Sequence, residues 1–289
     1  MMKKTLNFMG IRRPALIFSA ILVLGSLTFL LTRGLNLGID FTGGNVIQVE
    51  FDNLPEVSEV RKVVAGVAAQ EAMIQNFGEK GIIIRTNEDT EESREKVSAA
   101  LEKSFPDMKV VGYEKVGPVV GGELRRQAII GVSIALVAIL IYITLRFQFR
   151  FAVVSVVPLV HDVIVALGFF SITQMELSSS FIAAILTIVG YSLNNTIIIL
   201  DRIRENWRDL GRDGIVKLVN DSVNQTLART INTTLTTIFP VIALCVWGGP
   251  VLQAFSYAML VGVIAGTYSS MFVATGFLVE WTLACPEKR

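Results

Sequence analysis

The side chains of this sequence most able to do chemistry lie inside long apolar runs, where ionisable and amide groups are costly to keep. Asp162 stands beside the only histidine of the chain, His161, about 11 residues into such a run. If the run crosses a bilayer, that depth is near its middle. A carboxylate there must be neutral, paired or hydrated. Asp162 is therefore either an ion-relay site or a protonated structural donor to a neighbouring helix. His161 fits packing better than metal ligation, because no second His or Cys lies near it. Residues 190–207 read Gly-Tyr-Ser-Leu-Asn-Asn-Thr-Ile-Ile-Ile-Leu-Asp-Arg-Ile-Arg-Glu-Asn-Trp. Here the adjacent amides Asn194 and Asn195 precede a charged stop containing Asp201, Arg202 and Arg204. Asn195 falls roughly 9 Å before Asp201 on a helix. Arg229 opens a further apolar run and is followed by Asn232, Thr233, Thr236 and Thr237 on nearly one face. Thr187, Tyr191, Ser192 and Asn194 offer a matching face. Two such faces suit a hydrated or hydrogen-bonded seam. The plainer alternatives are an interhelical hydrogen bond for Asn195, worth about 0.6–2 kcal/mol, and snorkelling to the interface for Arg229.

These residues need helices long enough to cross a membrane. The chain has 289 residues, 52% of them hydrophobic, which is the composition of a multi-spanning membrane protein. Runs of about 20 apolar residues place six spans, at Pro14–Leu31, Ala128–Leu145, Phe151–Thr173, Leu177–Leu200, Thr230–Trp247 and Val251–Leu283. The first follows Lys3, Lys4, Arg12 and Arg13, but Leu31-Thr32-Arg33 is no small-residue cleavage site, so it reads as an uncleaved anchor. Arg146, Arg150, Arg202, Arg204, Arg208, Arg212, Lys217, Arg229, Lys288 and Arg289 all fall on one side of this topology. The short loops 174–180 and 248–250 hold no Lys or Arg. The positive-inside rule then puts both termini in the cytosol. Gly262, Gly266 and Ser270 recur at four-residue intervals and predict close helix approach in the last span. The stretch Asp213–Leu227 is amphipathic and predicts a helix on the membrane surface.

Between the first two spans, residues 34–124 are polar and carry 16 Asp and Glu against 9 Lys and Arg. The stretch is too long to be a bare loop. Alternation predicts strands at Asn45–Phe51, Met73–Phe77, Gly81–Thr86 and Lys109–Val116, and helical spacing predicts helices at Pro55–Val67 and Thr90–Phe105. The order βαββαβ is the split βαβ, ferredoxin-like pattern. The expected architecture is thus a membrane all-α protein of six transmembrane helices with an inserted exterior α+β domain. Residues 1–33 form the amino terminus and first helix, 34–124 the exterior domain, and 125–289 five helices with a cytosolic loop at 201–229.

Four stretches stand in order along the chain. They are Gly-Ile-Asp-Phe-Thr-Gly-Gly (Gly38, Asp40, Phe41, Gly43 and Gly44 among them), the Gly190–Asn206 signature, Gln-Thr-Leu-Ala-Arg-Thr at 225–230 and Gly-Gly-Pro-Val-Leu at 248–252. Together they resemble the SecF family of protein-export membrane subunits, similar in architecture to the resistance–nodulation–division transporters. The resemblance covers essentially the whole chain. It implies a partner, SecD, beside the Sec channel complex, an unfolded exported polypeptide as substrate, and an ion gradient, typically of protons, as the energy source in the cell (inner) membrane. It also implies an acid at position 195 paired with Arg229. This chain has Asn195, which cannot titrate, so it is either a variant at that position or coupled differently.

The glycines of 38–44 make a joint between the first span and the first strand, either structural or a hinge to the exterior domain. No nucleotide-binding loop, Ser/His/Asp set or metal-ligand spacing is present, so neither an enzyme, a cofactor nor a metal is expected. A net charge of +1 gives no basic field for nucleic acid, while lipid is an expected neighbour. Two rival functions remain open: a small-molecule exporter half of the resistance–nodulation–division type, and an assembly subunit uncoupled from ions.

Overall fold

The structure is a computed structural model that describes residues 5–67, 72–78, 80–86, 90–146, 148–207 and 214–285. Lys3, Lys4, Arg208, Arg212, Asp213, Lys288 and Arg289, all used above for orientation or segment limits, lie outside these residues. Two compact units are present: Leu37–Gly131 with Glu176–Ser179, and the remainder.

The smaller unit opens on a four-residue helix, α2 (Ile39–Thr42). It continues as β1 (Gly44–Glu50), α3 (Val57–Ala65), β2 (Met73–Phe77), β3 (Gly81–Thr86), α4 (Glu91–Ser104) and β4 (Lys109–Val116). The strands form one antiparallel sheet in the order β2-β3-β1-β4. With a helix after β1 and another after β3, this is the split βαβ arrangement that the sequence pattern predicts. Alternate residues of the central strands, Ile47, Val49, Ile82 and Ile84, pack against Val60, Val64, Val97 and Leu101 of the two helices. That period of 2 meeting a period of 3.6 is what the alternation predicted. Thr90 caps α4 by accepting from the Ser93 N–H at 3.3 Å, and Glu91 and Glu92 occupy its positive first turn. The unit runs on to Gly131, further than the expected limit at 124, because β4 passes after one residue into the long helix α5 (Pro118–Arg146).

The helical unit begins with a 3₁₀ turn, Met9–Ile11, leading into α1 (Arg12–Thr32). It adds the second part of α5, then α6 (Phe149–Thr173), α7 (Ser179–Asn206), α8 (Gly214–Trp247) and α9 (Gly249–Tyr268). A π-helical turn, Ser269–Ala274, passes directly into α10 (Thr275–Ala284). Among the described residues, six helices are long and apolar enough to cross a membrane. Small residues set the closest approaches. A Cβ on Gly168 would lie 2.2 Å from Ser26 Oγ, and one on Gly262 would lie 2.3 Å from Ile188 Cγ1. Only glycine lets α1 meet α6, and α7 meet α9, at these distances.

One expectation fails here. Asp213–Leu227 is not a separate surface helix, because α8 runs unbroken from Gly214 into the fifth span. Ile215, Val219 and Val223, at four-residue spacing, bury into the bundle core. Asn220 and Asn224 hold the backbone of Leu6 and Met9. No glycine or proline interrupts residues 215–239, so the helix has no reason to stop.

Candidate functional site

Asp162 lies in α6 and is fully buried. Its Oδ1 meets His161 Nδ1 at 2.9 Å. Its Oδ2 accepts from Ser192 Oγ of α7 at 2.5 Å and from Ser269 Oγ of the π turn at 2.8 Å. Oδ2 is thus an acceptor for two hydroxyls, while the tautomer of His161 sets whether Oδ1 accepts from Nδ1 or donates to it. Gly266 backs the pocket, where a Cβ would stand 3.3 Å from Oδ2 and 3.2 Å from Ser192 Cβ. The π turn begins at Ser269 itself, and such turns are frequent at functional sites. Ser269 Oγ also lies 3.3 Å from the Gly266 carbonyl, a second acceptor within its reach.

The His161 ring is buried, and its Nε2 has no hydrogen-bond partner. Tyr268 stacks obliquely against it, with ring centroids 6.2 Å apart. The Tyr268 hydroxyl donates to the Ala15 carbonyl at 2.7 Å and accepts from Ser19 at 3.1 Å.

Asn195 shares the buried face of α7 with Ser192, and neither atom of its amide has a partner. Asn194, the next residue on the helix, is exposed, as is Thr187. Tyr191 donates to Thr234 at 2.9 Å, and Thr234 pairs with Thr267 at 2.8 Å. The polar face expected on span four therefore divides in three: Ser192 toward Asp162, Tyr191 toward α8, and Thr187 with Asn194 outward. Successive helical residues turn by about 100°, so one stretch cannot present them all together.

On α8, Arg229, Asn232 and Thr236 are exposed and Thr233 is half-buried. Among the described residues the Arg229 guanidinium has no hydrogen bond or ion pair, and it does not meet Asn195. Thr233, Thr236 and Thr237 donate to carbonyls of their own helix, those of Arg229, Asn232 and Thr233, at 2.9, 3.0 and 2.9 Å. The cross-helix polar contact runs instead through Thr234, and the carboxylate is completed by Ser269. Neither residue stood out in the sequence. Ser269 lies beside the Gly262–Gly266–Ser270 series, but the shift introduced by a π turn leaves no sequence signal.

The Gly38–Gly44 joint is tightly built. Gly38 N–H donates to the Leu177 carbonyl at 2.9 Å, and a Cβ on Gly38 would fall 2.9 Å from that oxygen. Asp40 Oδ2 accepts from the N–H of Ser179, the first residue of α7, at 2.6 Å. Phe41 is buried, and Gly43 and Gly44 take φ of 75° and 136°, which suit glycine alone. Glu176 forms an ion pair with Arg85. Burial pushes its carboxyl above the usual range, against the pull of that guanidinium. At the far end of α7, Asp201 meets Arg204 at 3.1 Å and Arg146 at 3.5 Å. Arg202 meets Glu205 at 2.7 Å and also reaches Gln225 of α8.

Comparison with known proteins gives concordant matches. The family described as protein export membrane protein SecD/SecF, C-terminal, matches residues 96–284, and the SecD/SecF GG motif matches residues 28–53. The protein translocase subunit SecF of Desulfurispirillum indicum is 43% identical over 285 residues, covering 95% of this chain and 91% of its own. That of Pseudomonas aeruginosa is 41% identical over 280 residues, covering 95% and 91%. Among solved structures, the translocon-associated membrane protein SecDF from Thermus thermophilus matches with a TM-score of 0.89 at 36% identity, covering 97% of this chain and 39% of that one. SecDF in a super-membrane-facing form matches with a TM-score of 0.73 at 36% identity, covering 98% and 40%.

Proposed function

The chain belongs to the SecF family of protein translocase subunits, and from that premise we propose that it pairs with a SecD-type partner to draw on an ion gradient for polypeptide export. One observation carries the pairing. Arg229, Asn232 and Thr236 form an exposed face on a helix apolar enough to span a membrane. Arg229 opens the span, and Asn232, Thr233 and Thr236 carry the polar face into it; polar groups turned to lipid are costly, and cover by protein or water relieves that cost. The chain spans 39% of the SecDF chain it resembles, which leaves ample length there for a second half. In this arrangement the partner packs on α7 and α8 beside the Sec channel complex, both termini face the cytosol, and lipid surrounds the rest of the bundle. The exterior domain meets the unfolded exported polypeptide. The chain hydrolyses nothing and needs no cofactor.

The test is export into reconstituted vesicles containing the channel, the ATPase, the SecD partner and this chain, with and without an imposed gradient. Arg229→Met is expected to lower the gradient-dependent fraction at least tenfold while leaving ATP-driven export intact, a change of about 1.4 kcal/mol. Asn195→Asp is expected to raise that fraction, and Arg229→Met to abolish the gain. Asn195 favours one second reading, an assembly subunit uncoupled from ions. Co-purification of SecD together with export insensitive to an uncoupler selects it.

A further inference from the structure

We propose that His161 and Asp162 form the proton-binding site of this chain, with Nε2 of His161 as the atom that takes the proton. This rests on the gradient-driven function above and deepens it, since it names the ion and the group that carries it. Among the described residues His161 and Asp162 are the only buried acid or base side chains. Position 195 is an amide and cannot titrate. The carboxyl already holds two hydroxyl donors from other elements on Oδ2 and faces the ring nitrogen Nδ1 with Oδ1 at 2.9 Å. One polar atom is left over, His161 Nε2, buried and without a partner.

Loading is a simple transfer. With Nδ1–H directed at Oδ1 and Nε2 bare, the pair carries one negative charge. A proton arriving at Nε2 makes an imidazolium beside a carboxylate, and the buried charge falls to zero. In a low-dielectric bundle that difference is large enough to favour different packings. The element that can respond is Ser269, whose hydroxyl chooses between Asp162 Oδ2 and the Gly266 carbonyl at the start of the π turn. Among the described residues, Tyr268 is the titratable group from another element in contact with the pair, and its hydroxyl is engaged by Ala15 and Ser19. The charged pairs of the neighbouring helices, Arg12 with Glu280 and Arg146 with Asp201, sit near helix ends. A ring nitrogen is a poor ligand for a hard cation, which takes oxygen, whereas Asp162, Ser192 and Ser269 offer oxygens, so exchange of sodium is the measurement that separates the two ions.

The protein contains one histidine. In an untagged, ¹⁵N-histidine-labelled full chain reconstituted with unlabelled partner, every histidine signal therefore reports His161. The expected result is that Nε2 takes up one proton when the sample is acidified while the fold is kept. Asp162→Asn should change the acidity at which it does so, and exchange of sodium for choline should leave it unchanged. A ring that keeps one protonation state throughout, or a spectrum that follows sodium, overturns the assignment, and this arm needs no substitution. In the vesicle assay, His161→Gln and Asp162→Asn should each lose the gradient-dependent fraction. If wild type shows that fraction and both variants keep it, the site is wrong while the export function stands. If wild type shows none, the gradient-driven function itself fails.

Discussion

A buried carboxylate holding two hydroxyls from other elements is a bond between helices as much as a charge. Ser269→Ala removes one donor to Asp162. A hydrogen bond to a charged group contributes about 1.5–3 kcal/mol, so thermal unfolding in detergent should show a destabilisation of that order. Ser269→Thr, which keeps the hydroxyl, should recover part of it. Gly38→Ala should disrupt the joint, since the new methyl meets the Leu177 carbonyl, which is backbone and cannot move aside. Glu176 gives a pH signature outside the spans. Its folded pKa lies above the unfolded value. Its contribution to stability is therefore fully present below the unfolded pKa, about 4.3, and is lost as pH rises through the folded one. Melting curves of the full chain should lose that downward slope in Glu176→Gln. At this scale the sequence made Asp162, Asn195 and Arg229 conspicuous, because polar groups in apolar runs stand out by composition. It left open which of them meet, because partners such as Ser192 and Ser269 lie 30 and 107 residues from Asp162.

Helices and strands were the most legible level. The periods of 2 and 3.6 placed all the strands of the small sheet and its two helices within a few residues, since local alternation reports directly on which side is buried. What misled was amphipathic character at the start of α8. Charged residues on one side and Ile215, Val219 and Val223 on the other describe a surface helix and a buried helical extension equally well. The small-residue spacing of α9 has a direct consequence. Gly262→Leu would drive its side chain into Ile188, costing about 1–3 kcal/mol of overpacking or more and lowering the yield of folded protein on gel filtration. In the small unit, Thr90→Ala removes the α4 cap and should cost about 1 kcal/mol in denaturant melts.

For the molecule as a whole, two units of different solvent preference are joined on one chain, and each can be questioned alone. Residues 34–124 expressed by themselves should fold as a soluble α+β domain, because Ile47, Ile82, Ile84, Val97 and Leu101 form a core drawn entirely from that stretch. Circular dichroism of a disordered chain would count against it. In the isolated domain Leu101→Ala should cost about 2–5 kcal/mol. The sequence by itself determined the spans, the inserted domain and the family, because apolar length, strand alternation and contiguous motifs are all local properties of a chain. Only the tertiary structure decided that Asp162 is completed by Ser192 and Ser269, that Asn195 turns inward and that Arg229 turns outward. Those facts depend on helix rotation and on a single π turn, and rotation about a helix axis is fixed by packing between distant segments.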